Sequence, residues 1–329
     1  MKRLIEILSI ALCILFVGCN KQKTADATMA DEAAAATLAA NAVNAQNAGT
    51  EADSAAVVMS SEGTDEGVLP GAFSVSPTAK VNFAKGNLQY QASTGTWRFA
   101  ENQYDFLGEE NENIDSRYDG WIDLFGWGTS GYNGKAPYMS IVKLSDYGDG
   151  AKDIAGTNYD WGVYNAISNG GNKAGIWRTL TEEEYVYLLT KRQQADSLFA
   201  CATVNDVHGF ILLPDGWRCP EGLSFSPSLS KGLTKDGKYY HNDGFDNYTH
   251  NVYNAEEWKQ LEQSGAVFLP AGGFRYDKKM NYDEGGYWLG SHRTEKSAYL
   301  AVFSIDMIGI ENWFAIYYGR SVRLVQDVK

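Results

Sequence analysis

The sequence predicts an irregular α+β domain with few helices, short strands and long loops. Only two stretches carry helical periodicity together with start signals, Thr181 to Gln194 and Asn254 to Ser264. Elsewhere beyond residue 70, short apolar or aromatic runs alternate with Gly, Asn, Asp and Ser clusters, the mark of short strands joined by loops. There is no β-α-β rhythm and no internal repeat.

The first helix has Thr179 or Thr181 as cap, with Glu182, Glu183 and Glu184 in a first turn where negative charge complements the helix dipole. Its Tyr185, Leu188 and Leu189 are spaced to face a core. The second repeats the plan with Asn254 as cap, Glu256 and Glu257 in the first turn, and Trp258 and Leu261 facing inward. Strands are expected at Lys80 to Tyr90, Thr96 to Ala100, Gly209 to Leu213, Ala266 to Leu269, Ala298 to Ile305 and Ser321 to Val325.

Residues 1–18 read as an export signal: Lys2 and Arg3, an apolar run from Ile7 to Val17, then Gly18 before Cys19. The run is short of the ~20 residues a bilayer span needs. A small residue before a cysteine resembles a lipobox, although Phe16 is a loose match; acylated Cys19 would be the only membrane attachment. Residues 19–70 then form a tether, because Ala, Asn, Thr, Asp and Glu without any aromatic residue from Lys21 on bury too little to offset the entropy of ordering. A short helix around Glu32 to Ala45 is the other reading of this stretch. Residues 71–329 hold all nine Trp and are long enough for one large core.

A net charge of −13 with no basic run after Arg3 removes nucleic acid and anionic membrane surfaces as partners, since both require clustered cations. Neutral glycans or protein suit such a surface better. Once Cys13 leaves with the signal and Cys19 is acylated, Cys201 and Cys219 remain; they either pair in an oxidising compartment or stay as buried thiols.

Several short motifs then occur in a characteristic order. Trp177, Arg178, Thr179, Leu180, Thr181 and Glu184 are followed by Leu213 to Trp217, Leu269 to Arg275, Gly286 to Trp288 and Gly319 to Val325. This series resembles the large C-type-lectin-like domain of formylglycine-generating-enzyme type. It is closest to the Fibrobacter-succinogenes-type major paralogous domain and its relatives among Bacteroides lipoproteins. The preceding Trp121 to Tyr132, with Asp160, Trp161 and Gly162, belongs to the same domain in those relatives, so the resemblance spans roughly Gly71 to Val325.

Some proteins of this fold are diversified by retroelements that rewrite the carboxy-terminal segment and keep its framework. That resemblance implies a framework of Tyr287, Trp288, Ser291, Ala298, Tyr299 and Phe303. It implies ligand-binding positions at Leu289, His292, Arg293, Leu300, Val302, Ile305, Met307, Ile308, Ile310, Asn312, Trp313, Phe314, Ile316 and Tyr317. Strand periodicity separates Leu300, Val302 and Ser304 from Tyr299, Ala301 and Phe303, so if the second set faces the core the first faces outward. Met307 to Tyr318, apolar without regular alternation, reads as a recognition patch anchored by Trp313 or as core strand.

Catalysis is not expected. The namesake enzyme of the fold uses a cysteine pair in its carboxy-terminal part, and no cysteine follows Cys219. His208, His241, His250 and His292 are scattered without helical metal-ligand spacing, and Asp243, Asp246 and Asn247 do not match a calcium loop. No carboxylate pair stands out as a glycosidase site, and Gly170 and Gly171 lack the Lys-Ser or Lys-Thr of a phosphate loop. The expectation is therefore an adhesin or ligand-binding lipoprotein of the outer membrane, without cofactor, engaging a protein or glycan. A pilus-tip-like assembly subunit and a carbohydrate-active enzyme are the alternatives.

Overall fold

The computed structural model describes residues 67–113, 115–138, 152–228, 248–282, 284–304 and 307–329. The expected export signal, Cys19 and the expected tether as far as residue 66 lie outside the described residues, as do His241, Asp243, Asp246, Asn247 and Ile305. The amino-terminal part of the fold comprises β1 (Phe73–Ser74), β2 (Lys80–Phe83), β3 (Leu88–Gln91), β4 (Thr96–Phe99), β5 (Trp121–Ile122) and the short helix α1 (Trp161–Tyr164). Then come α2 (Glu182–Thr190), β6 (Phe199–Val204), β7 (Val207–Leu212), β8 (Val252–Tyr253), α3 (Ala255–Gln263) and β9 (Val267–Pro270). The chain closes with β10 (Phe274–Tyr276), β11 (Lys279–Asn281), β12 (Gly285–Thr294), β13 (Ser297–Phe303), β14 (Ile308–Ala315) and β15 (Val325–Asp327). This is an α+β architecture of small sheets and few helices.

Both longer helices begin where their caps dictate. The Thr181 hydroxyl accepts from the Glu184 N–H while the Glu184 carboxylate accepts from the Thr181 N–H, and Asn254 and Glu257 repeat this reciprocal box at α3. Helix α2 ends at Thr190, short of the expected Gln194, which adopts a left-handed conformation at φ 58°. The fold also begins earlier than composition implies. Val68 bridges to Ala84 and Leu69 is buried, so Gly67 to Pro70 belong to the domain and not to the tether.

The sheets are β1-β2-β15, β4-β3-β5, β8-β6-β7-β9, the hairpin β10-β11, and β12-β13-β14. In the last, Trp288 pairs with Leu300, and Leu300 in turn with Glu311 across an irregularity in register. The segment after Met307 is thus a strand, the second of its two readings.

The β12-β13-β14 sheet lies between two cores. One face carries Tyr287, Leu289, Ala301, Phe303, Ile308 and Ile310 into a cluster with α2, β6 and β7 residues. The other carries Trp288, Ala298, Leu300, Val302 and Phe314 into a cluster with Trp97, Phe125, Trp161 and Trp177. A sheet covered on both faces needs apolar residues at successive positions, which accounts for the missing alternation.

The sequence motifs meet through buried polar bonds. The Arg323 guanidinium donates to the Asn87 side-chain oxygen at 3.0 Å and to the Phe268 carbonyl at 2.9 Å; Asn87 donates to the Tyr287 hydroxyl, which donates to the Pro270 carbonyl at 3.0 Å. Burial pulls that guanidinium down to about 10. Arg178 binds the Glu184 carboxylate with two donors, at 2.7 and 2.8 Å, and also reaches Asp327. Asp160 accepts from the Thr179 N–H and hydroxyl, and two residues on, Gly162 lies so close to Trp177 that an added Cβ would come within 2.5 Å of its Cβ.

Candidate functional site

The structure divides the expected ligand-binding positions into two groups. Leu289, Leu300, Val302, Ile308, Ile310, Phe314 and Ile316 are buried, each 7 % exposed or less, and cannot present a contact surface without unfolding. The expectation that Leu300 and Val302 face outward is corrected: the alternation is right, but a second core covers the face they occupy. His292 and Met307 are half-buried, Arg293 is exposed and Tyr317 is half-buried at the surface end of β14. The side chains of Asn312 and Trp313 lie outside the described residues.

His292, Arg293 and Tyr317 lie at the end of the sheet where the β12-β13 hairpin turns, whereas Met307 sits at the β13-β14 turn at the opposite end. The Asp153 carboxylate sits 2.7 Å from His292 Nδ1 and accepts from the His292 N–H at 2.9 Å, holding the residue before Arg293. The Ile316 N–H donates to the Lys296 carbonyl at 3.1 Å, tying the hairpin tip to the segment that carries Tyr317. On the other side, the Trp127 N–H donates to the Ile316 carbonyl at 2.8 Å.

Tyr317 belongs to an aromatic cluster. Its ring centroid lies 5.2 Å from Tyr318 and 6.3 Å from Tyr276, Tyr276 lies 5.2 Å from Tyr318, and Phe274 meets Tyr318 edge-on at 5.5 Å. Tyr276 is 44 % exposed, so the cluster opens to solvent. Partial burial, then the neighbouring Tyr317 and Tyr276, raise the Tyr318 hydroxyl above its ordinary range, so it stays a protonated donor at neutral pH.

A buried cation backs these rings. The Arg320 guanidinium lies 4.4 Å from the Phe274 ring centre and 4.2 Å from that of Phe314, and pairs with Glu284 at 2.7 Å. A cation between two ring faces, fixed by a carboxylate, restrains β10 and the end of β14 as one unit. Gly286 makes room for it, since an added Cβ would come within 2.6 Å of Arg320 Nη1.

A second exposed aromatic group, Tyr132 with Tyr159 and Tyr164, packs edge to face at 5.4 and 5.5 Å. The Ser130 hydroxyl, two residues before Tyr132, donates to the Asn158 carbonyl and holds the two loops together. Sequence reasoning included Tyr318 in the Met307 to Tyr318 patch but did not single out Phe274, Tyr276 or this triad, which lie in loops, a short hairpin and the one-turn helix α1. The available signal was tyrosine density next to glycine, as in Gly131-Tyr132 and Tyr317-Tyr318-Gly319.

The cysteine expectations are resolved in part. Among the described residues no disulfide forms: Cys201 is buried, with its thiol 3.7 Å from the Ser304 carbonyl, while Cys219 is exposed on a loop, so the reading of two buried thiols holds only for the first. Of the histidines, His208 stacks on Tyr248 and His250 is exposed. No group of three His, Cys, Asp or Glu side chains that would hold a metal occurs among the described residues. Two carboxyls are fully buried: burial, partly offset by hydrogen bonds, raises Asp123 and Asp160 to about 6. Comparison with family models, curated proteins and solved structures finds no match to this chain.

Proposed function

We propose that the chain is a non-catalytic, surface-exposed ligand-binding lipoprotein, anchored in the outer membrane by acylated Cys19 and carrying a C-type-lectin-like head of formylglycine-generating-enzyme type. The ordered motifs support that fold assignment, and their mutual hydrogen bonding fits a common framework. The observation that carries the functional reading is the solvent-open Tyr276-Tyr317-Tyr318 cluster at the carboxy-terminal end of the sheet, backed by the clamped Arg320. Tyrosines held rigid supply large contact area with hydrogen-bonding tips at low entropic cost, the property of recognition surfaces.

The test is capture of glycans and of host or bacterial surface proteins by cells displaying the full chain, beside a Tyr276→Ala/Tyr317→Ala variant displayed at the same level. Saturable capture by the parent, reduced at least about tenfold in the variant, supports the reading. Capture unchanged by the double substitution moves the site away from the cluster, and a Cys19→Ser chain that still partitions with membranes removes the lipid anchor. A second reading, an assembly subunit, draws on β14, an eight-residue strand at the edge of its sheet. Such edges pair with other chains. Growth of oligomers in the purified full chain would favour it.

A further inference from the structure

A cleft of about 510 Å³ lies beside the β10-β11 hairpin, lined by Glu112, Asn113, Asp115, Ser116, Tyr138 and Lys278. Its size falls in the ~300–1,000 Å³ range of small-molecule sites. Two contacts hold its walls together, and a third orders a carboxylate on one of them. The buried Arg275 guanidinium donates to the Tyr138 carbonyl at 3.4 Å and to the Asp277 carbonyl at 3.3 Å, joining one wall to the hairpin turn. The Glu112 carboxylate accepts from the Met280 N–H at 3.2 Å, joining the opposite wall to the same hairpin. Arg117 chelates the Asp115 carboxylate at 2.9 and 3.2 Å.

The chemistry of the lining selects among ligand classes. Among the described lining residues Lys278 offsets one of the two carboxylates and Arg117, beside the cleft, pairs with Asp115, so no excess charge is left to favour an ion over a neutral ligand. Among the described residues its lining offers no aliphatic side chain to a hydrophobic ligand. It presents an ammonium, an amide, a hydroxyl, a phenol and two carboxylates, a dense mixture of donors and acceptors. A neutral sugar fits this mixture, because each ring hydroxyl both donates and accepts, while the half-buried Tyr138 supplies an apolar wall for the C–H face of the ring.

We infer that this cleft binds one neutral pyranose of a glycan. The inference rests on reading the chain as a recognition protein and names the ligand class for a pocket that adjoins the tyrosine cluster through Arg275-Tyr276.

Saturation-transfer NMR and calorimetry on the purified full chain test it, with methyl α-mannoside, methyl β-galactoside, methyl β-glucoside and N-acetylglucosamine as probes. Lys278→Ala and Ser116→Ala alter exposed side chains only, and unchanged thermal unfolding verifies the fold of each. The expected result is saturable binding of at least one probe with Kd on the order of 1 mM, weakened about tenfold by Lys278→Ala through loss of a charged donor. No binding of any probe at several times that concentration, or binding unaffected by both substitutions, overturns the assignment. If surface capture through Tyr276 and Tyr317 persists in that case, only the cleft is refuted; if capture is also absent, the recognition reading fails with it.

Discussion

Replacing Leu300 by alanine tests whether the carboxy-terminal sheet is covered on both faces. Leu300 is fully buried on β13, opposite Trp288 on β12, with its Cδ2 near Gly286. Truncation removes three carbons from the second core. Leu-to-Ala changes in cores cost about 2–5 kcal/mol, the spread reflecting how far the site collapses around the cavity. Here collapse is restricted, because the strand is held from behind by the first core and on both sides by hydrogen-bonded neighbours. About 3 kcal/mol or more is therefore expected, a drop in Tm of roughly 6–12 °C for a domain of this size. Urea unfolding followed by tryptophan fluorescence measures it, with the exposed Arg293→Ala as control, expected within about 0.5 kcal/mol of the parent. A Leu300→Ala cost below about 1 kcal/mol would refute two-sided burial and return this residue to the surface.

Arg320→Met removes the cation from between Phe274 and Phe314 and leaves Glu284 without its partner, so a loss of about 3 kcal/mol is expected in the same assay; a neutral effect would mean that the clamp contributes nothing. Asp123 and Asp160 titrate near 6 in the fold against an ordinary 3.8, so the folded state binds more protons than the unfolded between those values. Their favourable contribution is complete below about pH 4 and is lost as pH rises through 6, roughly 3 kcal/mol for each group. In Asp160→Asn the amide oxygen takes the Thr179 N–H and the amide nitrogen donates to the Thr179 hydroxyl, so this variant should lose less stability than the parent between pH 5 and 7; equal slopes would contradict the buried-charge explanation. A maleimide probe should label Cys219 in the native protein and Cys201 only after unfolding, and a labelling pattern that requires prior reduction would show a disulfide.

What was legible in the sequence is what depends on neighbours in the chain. The α2 and α3 starts follow from Thr181-Glu184 and Asn254-Glu257, because capping is settled within one helical turn. The strands at Thr96, Val207, Val267 and Ser297 follow from short apolar runs, and the inward Trp258 and Leu261 from their helical spacing. The even and odd faces of β13 were likewise readable, because strand side chains alternate by geometry.

Tertiary structure alone decided what lies against each face. Alternation separates Leu300 from Phe303 but is silent on coverage, and the covering residues Trp97, Phe125 and Trp161 stand more than 130 positions earlier. The same holds for the tyrosine cluster: Tyr276 and Tyr317 are 41 residues apart and meet where Arg320, two aromatic rings and Glu284 join their segments. Local sequence sets backbone preference and the direction of each side chain; whether that direction ends in solvent or in a second core depends on contacts that exist only once the chain has folded.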